Sequence, residues 1–347
     1  MRIVGIMSGT SLDGVDLALC DIDEKGYRVL SASTVPYHVQ WRERLSTLEH
    51  ASAYEYAMAH AELGHYLGNL VHKFLTDNGL TADAVASHGH TIFHQPHVGL
   101  TTQIGDGDAI AAECRLPVVS NFRTLDVALG GQGAPLVPIG DRLLFGGYSA
   151  CLNLGGIANI SYESTDTQRI AFDICPCNML LNRLATRLGA DYDPDGNNAR
   201  RGSCNNTLLA VINSLPYYKE MPPKSLGKEW FMENLWPYFA EGDTYDLLRT
   251  AVEHIAAQIA QVVIQQQIDT MLVTGGGAHN SFLIERLRDI CPQTEVSVPD
   301  RMTVDYKEAI VFALLGYLRL TGRTNTLRSV TGARCDSIGG TLSGLIC

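Results

Sequence analysis

Arg2-Ile-Val-Gly-Ile-Met-Ser-Gly-Thr-Ser-Leu-Asp-Gly-Val-Asp16 opens the chain, and Leu17-Ala-Leu-Cys-Asp-Ile22 continues it. An apolar run, Ile3 to Met7, meets a Gly/Ser/Thr/Asp turn, Ser8 to Gly14, and a second apolar run, Val15 to Ile22, follows. Two apolar runs of strand length around a glycine turn read as a β-hairpin. The turn is rich in groups that suit a phosphate. Gly9 and Gly14 admit close backbone approach and positive φ. Thr10 and Ser11 add hydroxyl donors, and successive loop N–H groups can form an anion-binding concavity. Asp13 and Asp16 are acceptors able to hold Mg²⁺ through water, because Mg²⁺ prefers a few carboxylates plus phosphate oxygens. The same letters also suit a plain polar hairpin turn.

Outward from the hairpin, residues 28–37 read as a third strand. From Trp41 to Asn78 the period turns helical. Ala84 to His88 and Pro117 to Ser120 are short buried strands with a helix, Asp108 to Arg115, between them. Strands alternating with helices mean an α/β domain. Leu129-Gly-Gly-Gln-Gly-Ala-Pro-Leu-Val-Pro138 reads as a crossing between two domains. After it, Ala150-Cys-Leu-Asn-Leu-Gly-Gly-Ile-Ala-Asn-Ile-Ser-Tyr162 repeats the opening pattern, and strand and helix follow again. This predicts a duplicated α/β fold, with an N-terminal domain over 1–135, to which the C-terminal segment can return, and a second over 136–347. Turns at Gly9–Asp16 and Gly155–Gly156 that face one cleft would grip a nucleotide's phosphates from both sides. A third glycine turn, Gly275-Gly-Gly-Ala-His-Asn280, links a buried strand to a helix, another ready nucleotide site.

Composition narrows the partners. The 347 residues carry a net charge of −11 with no basic run, which argues against nucleic acid. No apolar stretch suggests a membrane span and no signal-peptide pattern opens the chain. Nine scattered cysteines without a CxxC pair suit reduced thiols in the cytoplasm. A homodimer is compatible with the sequence. The chain has neither a GxxxxGK[ST] loop nor the protein-kinase signatures.

Several residues stand out as chemistry. Asp173 ends the strand Ile170-Ala-Phe-Asp-Ile and suits general-base work, or a helix cap. His88, His90, His94 and His97 crowd ten residues. Their setting lacks a recognised zinc-ligand geometry, and substrate contact, foremost by His88, is the better reading. Arg123 suits a bidentate carboxylate clamp, or a surface ion pair. Glu308, in Lys307-Glu-Ala-Ile-Val-Phe-Ala313, is expected on the buried side of an apolar helix and needs a partner there.

Taken together, Gly5-Ile-Met-Ser-Gly-Thr-Ser-Leu-Asp-Gly-Val-Asp16, Ser87-His-Gly-His-Thr-Ile92, Gln103-Ile-Gly-Asp106, Asn121-Phe-Arg123, Gly130-Gly-Gln-Gly-Ala-Pro-Leu-Val-Pro138, Asn153-Leu-Gly-Gly-Ile-Ala-Asn-Ile160, Pro222-Pro-Lys-Ser225, Gly275 to Asn280 and Val330-Thr-Gly-Ala333 resemble the anhydro-N-acetylmuramic acid kinase family. The resemblance implies the actin/Hsp70/sugar-kinase fold, ATP and Mg²⁺. It also implies a reaction in which water opens the 1,6-anhydro bridge while ATP phosphorylates O6. It maps the catalytic aspartate onto Asp173, with Asn178 at the substrate. The ATP loop maps onto Gly9, Thr10, Ser11, Leu12, Asp13, Gly14, Val15 and Asp16, with Asp13 toward Mg²⁺. Gly155 and Gly156 join the ATP site, and Gly275, Gly276, Gly277 and Asn280 take the adenosine side. Arg123 and Glu308 map onto sugar contacts. One motif departs: Phe172-Asp-Ile-Cys-Pro-Cys-Asn178 stands where the family has Phe-Asp-Thr-Gly-Pro-Gly-Asn. A cysteine at a positive-φ position would be strained, so the loop is expected to run differently. The competing readings are a kinase of another anhydro or amino sugar, an ATP-independent glycoside hydrolase, and a non-catalytic ATP-binding module.

Overall fold

The computed structural model describes residues 1–9 and 12–344. Thr10 and Ser11, both assigned above to the phosphate loop, lie outside the described residues. The chain divides into two compact units, Met1–Leu144 with Tyr306–Cys347, and Phe145–Asp305. Strands of the first unit are β1 (Arg2–Ser8), β2 (Gly14–Asp23), β3 (Gly26–Pro36), β4 (Ala84–Ser87), β5 (His90–Gln95), β6 (Leu100–Ile104) and β7 (Val118–Ser120). The second unit holds β8 (Ala150–Leu154), β9 (Ile157–Glu163), β10 (Arg169–Pro176), β11 (Thr270–Thr274) and β12 (Glu295–Ser297). The chain then returns to the first unit and ends in β13 (Thr341–Ser343).

Each unit is built on the same plan. In the first the sheet order is β13-β7-β4-β1-β2-β3, with β1, β2 and β3 antiparallel in turn and β4 and β7 added parallel on the far side of β1. In the second the order is β10-β9-β8-β11-β12, again three antiparallel strands and then two parallel ones beside the first. The duplication that the sequence pattern suggested is therefore present at the level of topology, as expected of the actin/Hsp70/sugar-kinase fold.

β1 explains why the opening stretch is apolar almost without a break. Ile3 packs with Ala18, Cys20 and the helix Arg301–Leu320 on one face, while Val4 and Ile6 pack with Leu63, Leu67 and Val71 of the helix Ala53–Asp77 on the other. A strand covered on both faces needs apolar residues at successive positions. Gly5 is what lets the 301–320 helix approach so closely, since a Cβ there would lie 1.8 Å from the Ala309 carbonyl oxygen.

Local chemistry moved several expected boundaries. The helical stretch after Trp41 is two helices, Val39–Thr47 and Ala53–Asp77. Ser52 starts the second by accepting the Glu55 N–H at 3.2 Å, the first half of an S-x-x-E capping box. Asp300 starts the 301–320 helix by accepting from the Thr303 N–H and hydroxyl at 3.1 and 2.8 Å. The glycine- and proline-rich stretch 129–138 belongs to the first unit, whose first segment runs on to Leu144. It is tied there by the Gln132 N–H to the Thr331 carbonyl at 2.8 Å. Thr244–Gln265 is long and apolar enough to cross a membrane, but it is the core helix of the second unit, with Leu248, Ile255 and Ile259 fully buried.

Candidate functional site

In the first unit the groups singled out from sequence gather at the carboxyl ends of parallel strands, where α/β sheets commonly hold ligands. β1 ends at Ser8, and the Ser8 hydroxyl is buried against the Tyr37 hydroxyl at 2.7 Å and His90 Nδ1 at 2.8 Å. The turn that follows is closed by the Leu12 N–H to the Gly9 carbonyl and by the Tyr37 N–H to the Asp13 carbonyl, both at 3.3 Å. Leu12, at φ 60°, carries the left-handed conformation that was expected of Gly14. Gly14 is required for another reason: a Cβ would sit 2.5 Å from the Val35 carbonyl oxygen of β3. Val15 is buried and Asp13 exposed. Asp16 accepts the Thr34 hydroxyl at 2.6 Å.

β4 and β7 lie side by side and parallel, so the residues just past their ends meet. His88 follows β4 and Arg123 follows β7. The Arg123 Nε and Nη2 groups reach His88 Nε2 at 3.0 and 2.9 Å, and Nη1 donates to the Gly133 carbonyl at 2.6 Å. Burial, then the neighbouring guanidinium, holds the His88 imidazole well below its usual range, so it stays neutral. Burial lowers Arg123 to about 10, with Glu308 and Asp126 pulling the other way. Glu308, expected on the buried side of its helix, is instead exposed, although protein crowds its other sides. That crowding raises its carboxyl; Arg123 opposes the rise and Asp16 adds to it.

The remaining histidines of the cluster go separate ways. His94 Nδ1 meets the Thr101 hydroxyl at 3.1 Å, and His97 lies in a short helical turn, Pro96–Val98. Among the described residues no three His, Cys, Asp or Glu side chains come together as metal ligands.

In the second unit the β8–β9 turn, the start of the helix Asn178–Ala185 and the 275–277 turn form one cluster. The Gly155 carbonyl accepts the Asn178 N–H at 3.1 Å, and the Gly156 carbonyl accepts those of Cys177 and Met179 at 2.8 and 3.0 Å. Asn178 Nδ2 donates to the Leu154 carbonyl at 2.9 Å. Gly275 stands at φ 81°, where a Cβ would lie 2.5 Å from Asn153 Oδ1, and a Cβ on Gly277 would lie 2.7 Å from that of Leu154. A Cβ on Gly276 would lie 3.7 Å from Asn178 Nδ2. Asn280 caps the helix Ser281–Ile290 by accepting the Leu283 N–H at 3.0 Å. Gly275, Gly277 and Asn178 are thus needed for the fold of this corner, whatever else they bind, whereas Gly276 has room for a side chain.

Asp173 lies on β10, half-buried, beside a bulge between Asp173 and Cys175. One segment, 217–226, grips it at three points. Its N–H donates to the Lys224 carbonyl at 3.3 Å. Its carbonyl accepts the Tyr217 hydroxyl at 2.7 Å, and its Oδ2 accepts the Leu226 N–H at 2.9 Å. Burial raises the Asp173 carboxyl, and the Leu226 N–H moderates the rise. Lys224 Nζ donates to the Tyr217 carbonyl at 3.0 Å and lies 4.5 Å from the Tyr217 ring centre. Tyr217 and Leu226 were not visible as site residues in the sequence, although Pro222-Pro-Lys-Ser225 marks the segment. As expected of a motif without the two glycines, the loop runs so that positive φ is avoided at both cysteines. Neither has positive φ, because Cys175 continues β10 opposite Ala158 and Cys177 turns at φ −120°.

Comparison with known proteins adds the family. The activator of 2-hydroxyisocaproyl-CoA dehydratase from Clostridium difficile with bound ADPNP aligns at a TM-score of 0.47 and 12% identity, over 93% of this chain and 96% of that one. An anhydro-N-acetylmuramic acid kinase from Vibrio parahaemolyticus is 38% identical over 97% of this chain and 96% of its own length. One from a Sulfurovum species is 35% identical over 97% of both. Residues 1–343 match the family defined by these enzymes, so the chain belongs to the anhydro-N-acetylmuramic acid kinase family.

Proposed function

We infer that the protein is a sugar kinase that converts 1,6-anhydro-N-acetylmuramic acid, ATP and water to N-acetylmuramic acid 6-phosphate and ADP. Family membership over residues 1–343 supports the reaction, and the three-point grip on Asp173 is the observation that carries the mechanism. Asp173 takes a proton from water as the water oxygen bonds to C1. The C1–O6 bond breaks, O6 bonds to the γ-phosphorus, and the bond from that phosphorus to the ADP oxygen breaks. A carboxyl raised by burial is a stronger base than a solvated one, which suits this task. Arg123 and Glu308 contact the sugar, the former suited to its carboxylate. Gly9–Asp16, Gly155, Gly156 and Gly275–Asn280 serve ATP.

The residues also fit Mg²⁺. Asp16 lies close enough to Glu308 to raise its carboxyl, a like-charge pair that a divalent cation would relieve. Asp13 and Asp16 would hold the ion through water, and when bound it neutralises phosphate charge during transfer. The substrate places the protein in cell-wall recycling, and its ATP demand in the cytoplasm.

The test is ADP release with 1,6-anhydro-N-acetylmuramic acid, with its ring-opened form, and with no sugar. Turnover with the anhydro sugar that yields the 6-phosphate is expected. Ring opening without ATP would favour a hydrolase, and ATP binding without sugar-dependent turnover would favour a non-catalytic module.

A further inference from the structure

We propose that His88 is a positioning residue, a neutral acceptor that fixes the plane of the Arg123 guanidinium without cancelling its charge. The proposal rests on the reading of Arg123 as a contact to the sugar.

Both ring nitrogens of His88 are engaged within the protein. Nδ1 lies 3.0 Å from the Gly89 carbonyl oxygen, so Nδ1 carries the proton and Nε2 presents a lone pair. That lone pair receives the Nε–H and one Nη2–H of Arg123 at 3.0 and 2.9 Å. The ring is buried, with its centre 4.8 Å from that of Phe312, and is fixed in turn. The opposite side of the guanidinium is held as firmly. Nη1 donates to the Gly133 carbonyl, and the Gly133 N–H donates to Asp126 Oδ2 at 2.7 Å. Asp126 Oδ1 accepts the Thr331 hydroxyl at 2.7 Å. Fixed groups therefore hold the guanidinium on two sides.

The chemistry of the acceptor matters. Arginine is most often oriented by a carboxylate, which gives strong bonds but neutralises the charge. An imidazole lone pair orients the same N–H pair and leaves the positive charge in place. Three of the five guanidinium N–H groups are then committed, leaving one on each Nη. Such a pair matches an anionic group with two oxygens, the kind that the lactyl side chain of the sugar carries. His88 would thus set specificity for an acidic sugar without touching it.

The test compares kcat and the KM values of sugar and ATP for His88→Leu, His88→Gln and Arg123→Lys. Losing the orientation of one contact is expected to raise the sugar KM about ten- to a hundredfold in His88→Leu. The kcat and the ATP KM should change less than about threefold, since this contact acts mainly in binding. His88→Gln, whose amide oxygen can accept the same N–H pair, should recover most of the loss. Adding His88→Leu to Arg123→Lys should raise the sugar KM less than about twofold further, because lysine has no planar fork to hold. An unchanged sugar KM in His88→Leu, a loss confined to kcat, or an equal loss in both backgrounds would overturn the proposal. If His88→Leu lacks a cooperative thermal transition, His88→Met takes its place with the same expectations. Wild-type protein without sugar-dependent ATP use would instead sink the functional reading, and this proposal with it.

Discussion

Replacing Asp173 by asparagine separates chemistry from structure at the proposed base. Asparagine has nearly the same shape and keeps an oxygen to accept the Leu226 N–H, now 2.9 Å from Oδ2. The other two anchors, to the Lys224 carbonyl and from the Tyr217 hydroxyl, use backbone atoms of residue 173 and persist. The substitution therefore opens no cavity and orphans no donor. What it removes is a group able to take a proton from water. General-base contributions run to about 10²–10⁴-fold, or roughly 3–5 kcal/mol of barrier at 1.36 kcal/mol per tenfold. Turnover should fall by that factor while ATP affinity, read by equilibrium binding, stays within about twofold.

Stability should move the other way. In the folded protein burial raises the Asp173 carboxyl above its ordinary value of 3.8. A carboxyl with a raised folded value binds its proton more tightly folded than unfolded. Its stabilising contribution is complete below pH 3.8 and is lost as pH rises through the raised value. Asparagine never ionises and avoids that loss. The variant should therefore melt higher than the parent at neutral pH, with the difference shrinking toward zero as the pH falls below the carboxylate range. Thermal scans across pH and an ADP-release assay on the same samples test both halves. Normal turnover in Asp173→Asn would remove Asp173 from the base role. A variant that melts lower at neutral pH would show that the carboxylate's contacts outweigh its desolvation.

Two further expectations concern the scaffold. Lys307 and Asp141 form an ion pair at 2.7 Å with side chains 6% and 5% exposed. Lys307→Met, which leaves the carboxylate buried without that partner, should cost about 3–5 kcal/mol. Adding Asp141→Leu should return part of the loss in urea unfolding, and a double variant no more stable than the single would contradict this. His88, His90 and His254 are all buried and held neutral, His90 down to about 4 and His254 to about 3. Each lies below the ordinary 6.5, so the unfolded chain binds more protons and stability falls as the pH drops below 6.5. The slope should approach about 4 kcal/mol per pH unit for the three together between pH 6 and 4.5. Asp173 and Glu308, with carboxyls raised above 3.8 and 4.5, bind protons more tightly folded and oppose this as the pH falls through their raised values. A urea midpoint equal at pH 7.5 and 5.5 would refute it.

The hairpin openings were legible because each strand is buried on a sheet face and its turn letters sit at a fixed spacing. Both copies, around Gly9–Gly14 and Gly155–Gly156, read correctly as strand, turn, strand. The partners of the candidate residues were not legible, because they are set by strand adjacency. His88 and Arg123 stand 35 residues apart and meet only because β4 and β7 are neighbours. Tyr217 and Leu226 stand 44 and 53 residues from Asp173 and reach it from an irregular segment without periodicity. Glycine letters signalled close packing, but the contact that demands each glycine, such as the Val35 carbonyl over Gly14, appears only in three dimensions.

The cysteines in Phe172-Asp-Ile-Cys-Pro-Cys-Asn178 show how the same corner is held without the glycines of the related motif. Glycine serves a loop that must turn through positive φ. Here the path is extended: a bulge after Asp173 shifts the register, Cys175 and Pro176 stay paired with Ala158 and Ile157, and Gly156 receives the Cys177 N–H. Side chains at 175 and 177 then point into protein, and both sulfurs are fully buried in the apolar core of this unit. Burial pushes both thiols up, Cys177 to about 12, so neither supplies a thiolate. They act as small apolar side chains behind the strand. The departure thus leaves both ends of the motif anchored, Asp173 by the 217–226 segment and Asn178 by Gly155 and Leu154. Both cysteines, 0% exposed, present no side chain at the surface of this corner.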